Sequence, residues 1–485
     1  MKSGRYEAIV VGGGPGGLAC AALLSKWGVR TLLLEKNQRT GGKAVTSERD
    51  GFRYELGPKL QVPMRDPAFA QLFRELGIES GLGQILLGDG SCLSYKGRSG
   101  RCETVVAPQT SDDPRPLFDL MQLDAAEREQ ALAVLGELVL LPEAGLAALD
   151  DVSMDQWLGQ RRVPRALYDY MAMHANASLA EPIDRVAASE QIRILQQIAT
   201  RGGGGYYRGG FGRVLDDIAD AIRAQGGEIR TGTRVGEIRL ENGRAAGVET
   251  ADGSFRAPVV VSAAGIQPTV LKLVGASHFA PSYVKYVEAL EPGWGFATVR
   301  YFLGRRAMPH KMYMIWSDES WWNSERAARV WAGHEPAEVI AFITVPSNFD
   351  PTMAPPGKQC LIAGTICSPD PKAGEIAMLH RKLDETLATH HPDAWAVVER
   401  REMDGPAEVS AHSRDSVLPG QGGECVGIGQ IVGQCGAKKP SPRTPIPGLY
   451  LAGCDAGSAT MGTHQATDSG MRVARMVRAD LRARS

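Results

Sequence analysis

Gly12, Gly14 and Gly17 stand at the spacing G-x-G-x-x-G, and Glu35 closes the apolar run that comes next. Together these residue types suit a nucleotide that carries a pyrophosphate. Gly12 serves a tight turn, Gly14 lets the phosphates approach the backbone, and Gly17 lets a helix pack on a strand. The free N–H groups and positive dipole end of that helix attract the phosphates. A carboxylate at Glu35 accepts hydrogen bonds from ribose hydroxyls and disfavours a 2′-phosphate, which points away from NADP. Metal chemistry has no comparable constellation. The eight cysteines lack a C-x-x-C pair or other metal-ligand spacing, and the nine histidines are scattered. Such cysteines are expected as free thiols in a reducing compartment, with no zinc or iron site.

The elements that must hold this turn are legible around it. Residues 8–11 form an apolar run fit for a buried strand, 18–27 the following helix, and 31–34 a second strand. That strand–turn–helix–strand–acid order turns a weak motif into a specific one. A second block reads as a helix over 214–225, with Val214, Leu215, Ile218, Ala221 and Ile222 at helical spacing, ended by Gly226-Gly227. It continues as a short strand over 228–231, a hairpin over 235–253 around Asn242-Gly243, and a buried strand over 259–262. A third block offers a strand over 449–452, a turn at Gly453-Cys454-Asp455, and a helix over 465–481.

The 485 residues suit two or three segments sharing two cores. An apolar fraction of 43% and a charged fraction of 22% are ordinary for a globular protein, and a net charge of −1 excludes a nucleic-acid field. Lys2 and Arg5 precede an apolar run, but Glu7 and the glycine cluster interrupt it, so the segment reads as mature protein. The greasiest stretch, 131–150, is broken by Glu137, Pro142 and Glu143 and falls short of the ~18 apolar residues of a span. It reads either as a buried helical hairpin or as a greasy surface that dips into a membrane face. The expected location is cytoplasmic, with the inner face of a membrane as the alternative.

Past Glu35 the chain runs through Arg39, Gly41-Gly42 and Gly57-Pro58. In this it resembles the FAD-binding superfamily that holds flavin amine oxidases, phytoene desaturases and GDP-dissociation inhibitors. Asp350-Pro351 and Ala354-Pro355-Pro356-Gly357 match the D-P-x-x-A-P-x-G turn of the phytoene desaturase-like branch. The resemblance spans nearly the whole chain and is weakest from about residue 80 to 205. It implies an α/β fold: a Rossmann-like FAD-binding domain assembled from three chain segments (1–66, 208–266 and 418–485), plus a mixed α+β substrate domain (67–207 and 267–417). The implied cofactor is resident FAD, held non-covalently, although Cys454 is conceivable as an attachment point.

Carried onto this sequence, the resemblance sets Arg39 against the pyrophosphate, Gly41-Gly42 under the flavin chain and Val235 against the adenine. Ala263 and Gly265 line the cofactor, Gly453 and Asp455 lie near the ribityl and pyrophosphate, and Met461 and Thr463 begin a helix aimed at the flavin ring. Lys36, Gly42, Lys43 and Gly57 complete the expected cofactor contacts. His464 is the first acid–base candidate, acting either by its side chain or only by its backbone. Lys59 either meets an acidic substrate group or is solvated. Tyr170 and His174 are read as packing, and Gln430, Gln434 and Cys435 are expected near the site. Two departures, Ser458-Ala459-Thr460-Met461-Gly462-Thr463-His464 in place of the branch's P-G-G-G turn and the polar glycine-rich stretch before it, leave room for a smaller ring substrate.

The implied reaction is hydride transfer to or from flavin N5 that desaturates, saturates or isomerises a C–C bond. Its substrate is a hydrophobic, carotenoid-like isoprenoid or alicyclic small molecule, with oxygen, quinone or NAD as electron acceptor. Amine oxidation is the alternative, lowered because residues 454–465 contain no aromatic. A non-catalytic binding protein of the GDP-dissociation inhibitor type is the other.

Overall fold

The computed structural model describes residues 6–107, 113–457 and 460–483. Lys2, Arg5 and the pair Ser458-Ala459 lie outside the described residues. Five short parallel strands form one sheet, in the order Leu449–Leu451, Val260–Ser262, Ala8–Val11, Thr31–Leu34 and Glu228–Arg230. These strands pair Val10 with Leu33 on one side and with Val261 on the other. Every residue of Ala8–Val11 and Thr31–Leu34 is buried, as expected of a parallel sheet covered on both faces. The three sequence blocks therefore converge in one Rossmann-like sheet.

The helix Pro15–Lys26 starts with proline in its first turn and lies between the sheet and the helix Gly462–Arg482. Small residues set the closeness of that crossing. A Cβ on Gly16 would stand 2.9 Å from both the Ala466 carbonyl oxygen and the Gly453 Cα, and one on Gly470 would strike the Gly16 carbonyl. On Gly17 a Cβ would fall onto the carbonyl oxygen of Gly12, which is the helix-on-strand packing that the motif demands. The expected helix over 214–225 forms as Phe211–Ala224, and the hairpin as Val235–Glu241 with Arg244–Thr250. Asn242 (φ 52°) and Gly243 (φ 72°) both turn left-handed, the geometry an Asn-Gly hairpin turn supplies.

A seven-stranded sheet makes the other half, in the order Val398–Asp404, Gly295–Leu303, Gln359–Cys367, Ala341–Thr344, Met312–Ser317, Ser91–Lys96 and Cys102–Ala107. It is antiparallel except where Met312–Ser317 meets Ser91–Lys96. Gln359–Cys367 is buried along its whole length and follows the turn at Asp350, whose carboxylate accepts the Thr352 and Gly209 N–H groups. Helices Ala125–Leu140, Arg165–His174 and Ala188–Arg201 pack beside this sheet around Trp157, Trp316 and Met171. The 131–150 stretch is a helical pair, Ala125–Leu140 and Glu143–Ala147, but its burial is one-sided: Ala131, Val134 and Leu138 are inside while Leu132, Val139 and Leu140 are exposed. No helix among the described residues is long and apolar enough to cross a membrane.

Candidate active site

A cavity of about 1200 Å³ begins at the C-terminal ends of the parallel strands and continues between the helices and the seven-stranded sheet. Its first part is lined by Gly12, Gly14, Glu35, Lys36, Gly42, Lys43, Val235, Ala263, Gly453, Asp455, Met461 and Thr463. These expected residues, drawn from all three chain blocks, thus meet around one space.

Local geometry explains how each is held. Gly12 turns left-handed (φ 100°), and Gly14 at the helix start has open space where a Cβ would stand. The helix has no side-chain cap, so its first N–H groups are left for an anion. Glu35 is 5% exposed; one oxygen accepts the Gly13 N–H at 2.7 Å and the other the Asn37 N–H at 2.9 Å. Two bonds leave carboxylate lone pairs free for hydroxyl donors. Lys36 and Arg234 both pair with Asp415, at 2.7 and 2.5 Å. Burial pushes the Asp415 carboxyl up, but those two cations hold it well below the usual carboxylate range.

Under the far end of this space lies a buried ionic chain that the sequence reading did not contain. Lys43 pairs with Glu424 at 2.8 Å, Glu424 with Arg414 at 2.7 Å, and Arg414 with Asp455 at 2.7 Å. Burial pushes Glu424 up, yet the Arg414 guanidinium and the Lys43 ammonium hold it below its ordinary value. Asp455 also accepts the Ile266 and Ile428 N–H groups. Its carboxylate lines the cavity but is spent on the protein, so its part is to tie strand end to glycine-rich loop. The signal for this chain was three charges in otherwise glycine-rich sequence near residues 414 to 424, but their partners are distant in sequence.

Four expectations are corrected by placement. Arg39 is exposed and donates to the Thr46 carbonyl at 2.7 Å, so it braces its own turn and does not line the cavity. Gly57 is outside the lining, where its neighbours Pro58 and Lys59 take its place. His464 is turned away: its Nδ1 accepts the Ala68 N–H at 2.8 Å, at the start of helix Ala68–Leu76. Burial, then Arg201, lowers its pKa to about 4, so the side chain serves as a partner to that helix start, and of the two expected modes the backbone one is left. Gln430, Gln434 and Cys435 are buried outside the lining, while Glu424 and Cys425 from the same stretch are in it.

Lys59 does reach the cavity. Its loop lies against the sheet where Gly364 stands, since a Cβ there would be 2.9 Å from Pro58, and Arg300 donates to the Leu56 carbonyl at 3.0 Å. Burial lowers the Lys59 pKa from the usual lysine range, with the Glu55 carboxylate opposing. Beyond Lys59 the walls turn apolar, with Phe296, Met314, Phe342, Leu135 and Ile198. Tyr170 and His174 line this chamber too. The Cys454 thiol is pushed up to about 12 by burial and donates to the Gly462 carbonyl, which makes it a poor nucleophile for covalent attachment.

With this geometry in hand, comparisons with known proteins are specific. Residues 15–390 match the family model described as flavin containing amine oxidoreductase. The chain is 25% identical to mouse (Mus musculus) pyridine nucleotide-disulfide oxidoreductase domain-containing protein 2, over 99% of this chain and 94% of that one. It is equally 25% identical to a phytoene desaturase of Cercospora nicotianae, over 86% and 70% of the two chains. A solved oxidoreductase from Methanosarcina mazei superposes with a TM-score of 0.74 at 20% identity, covering 97% of this chain and 100% of that one.

Proposed function

Because the chain belongs to the flavin containing amine oxidoreductase family, we propose that it is an FAD-dependent oxidoreductase acting on a C–C bond of an apolar, isoprenoid-like or alicyclic molecule. One observation carries this reading: a single cavity joins a nucleotide cradle at the strand ends to an apolar chamber. The residues present fit FAD. Gly12 and Gly14 leave backbone room for a pyrophosphate, Glu35 retains lone pairs for ribose hydroxyls, and Val235 offers an apolar wall to an adenine. The start of helix Gly462–Arg482 has no side-chain cap, and Met461, Gly462 and Thr463 line the cavity, so its N–H groups and positive dipole end would favour negative charge on a reduced flavin held there.

FAD supplies two-electron hydride chemistry when bound. The protein's own share is to exclude water and to orient the substrate. Methionine and phenylalanine walls do the first, and Lys59 stands where the apolar chamber meets the cradle. Without a hydrogen-bonding partner among the described residues, and with a lowered pKa, Lys59 is suited to hold or pass a proton beside the reacting carbons. The exposed Leu132, Val139 and Leu140 beside the chamber are the surface we assign to substrate entry from a membrane face.

Amine oxidation is the weaker reading, because residues 454–465 contain no aromatic and the chamber's Asp113 carboxylate is already paired with Arg115. A purely binding role leaves the charged, glycine-floored cradle without a purpose. The test is anaerobic: holoprotein is mixed with a carotenoid, a cyclic enone and a primary amine, and the visible flavin band is followed from both redox states. Bleaching or return of the band with the first two supports the reading; response to the amine alone refutes it.

A further inference from the structure

One stripe of the apolar chamber is polar. Helix Arg165–His174 runs into a π-helical turn, Ala175–Leu179, and Tyr170, His174 and Ser178 line the cavity at four-residue intervals across the junction. The rings of Tyr170 and His174 have centroids 6.4 Å apart, and the His174 Nε2 is 3.4 Å from the Ser178 hydroxyl oxygen. π-turns are rare and concentrate at functional sites. This one is held from its opposite side by Asn176, whose side chain accepts the Trp322 N–H at 2.6 Å and donates to the Glu181 carbonyl at 2.7 Å.

The stripe is unfinished as a hydrogen-bond network. Tyr170 has no hydroxyl partner among the described residues, and the Nδ1 of His174, a side chain 8% exposed, has none either. Burial lowers the His174 pKa to about 4, so near neutral pH its ring offers one donor and one acceptor. Three other polar groups on the same walls are already satisfied: Thr200 donates to the Gln196 carbonyl at 2.7 Å, Ser91 to the Met312 sulfur, and Asp113 accepts from Arg115. A phenylalanine would pack on Trp316 as Tyr170 does, at 6.1 Å between centroids. The hydroxyl therefore adds nothing to packing, and on the half-buried Tyr170 side chain it belongs to the chamber lining with no partner among the described residues.

We propose that Tyr170, His174 and Ser178 form a specificity stripe that binds an oxygen atom, hydroxyl or carbonyl, on an otherwise apolar substrate. This rests on the apolar-chamber reading above and narrows it to oxygenated molecules. A ring ketone or alcohol would be fixed at that end, leaving its carbons toward Lys59 and the cradle.

The test is equilibrium binding to the flavin-loaded protein, read by tryptophan fluorescence, with β-ionone, β-ionol and the hydrocarbon of the same skeleton. The wild type should hold both oxygenated probes about tenfold tighter than the hydrocarbon. Tyr170→Phe should erase most of that preference while leaving hydrocarbon affinity unchanged, and Ser178→Ala should reduce it by a smaller factor. Equal binding of all three probes, or equal weakening of all three by Tyr170→Phe, overturns the stripe and leaves the apolar chamber standing. Failure of every probe to bind removes both.

Discussion

His464 offers the sharpest separation between a reacting group and a structural one. Its Nδ1 takes the N–H of Ala68, and burial keeps the ring neutral, with a pKa of about 4 against an ordinary 6.5. The unfolded chain takes up this proton near pH 6.5, whereas the folded chain resists until about pH 4. Stability from this site is therefore full above pH 6.5 and is lost as pH falls toward 4. At ~1.4 kcal/mol per pH unit, the loss reaches about 2 kcal/mol at about pH 5 and about 3 kcal/mol at the bottom of the window. Asparagine keeps an acceptor near the place of Nδ1 but does not titrate. His464→Asn should cost about 1 kcal/mol at about pH 7.5, from a poorer hydrogen bond. At about pH 5 the order should invert, with the variant about 1 kcal/mol more stable than the wild type. Urea unfolding at the two pH values measures this, and anaerobic flavin reduction by substrate should be within twofold of wild type. A variant of unchanged stability at both pH values but with flavin reduction down a hundredfold would refute the placement and restore His464 to the chemistry.

Three further perturbations probe the rest of the site. Gly17→Ala puts a methyl on the Gly12 carbonyl; it should cost about 1–3 kcal/mol and yield protein with little visible flavin absorbance, checked by unfolding and by flavin-to-protein ratio. Glu424→Gln removes a fully buried charge from between Lys43 and Arg414, and should lower stability by about 3–5 kcal/mol in urea melts. Lys59→Met keeps the stem and deletes an ammonium that burial already disfavours. It should leave flavin content unchanged and slow substrate-driven flavin reduction about a hundredfold in stopped flow.

What could be read from sequence was what local physics decides. Gly12, Gly14, Gly17 and Glu35 lie within one strand–helix–strand unit, and Asn242-Gly243 encodes its own turn, so local sequence decides their backbone placement: Gly12, Gly14 and Glu35 line the cavity and Gly17 packs on Gly12. Side-chain direction was less accessible. Arg39 and His464 lie in the right segments, but their partners Thr46 and Ala68 decide where they point, and Ala68 is 396 residues away. Tyr170 and His174 show helical spacing whether they face a core or a chamber, so periodicity could not tell the two apart. Gln430 and Gln434 sit in the right stretch, yet a turn of backbone presents Glu424 and Cys425 to the cavity instead. The ionic chain from Lys43 to Asp455 joins residues far apart in sequence and exists only once the three blocks have met.

The most direct measurement is to unfold the purified protein in acid, separate the polypeptide from what it releases, and identify both by mass. Released FAD in a one-to-one ratio, with a polypeptide of unmodified mass, is what the glycine-floored cradle and the protonated Cys454 thiol require. Recovery of a colourless protein that takes up no FAD on reconstitution, or of a polypeptide heavier by a flavin, would contradict the account.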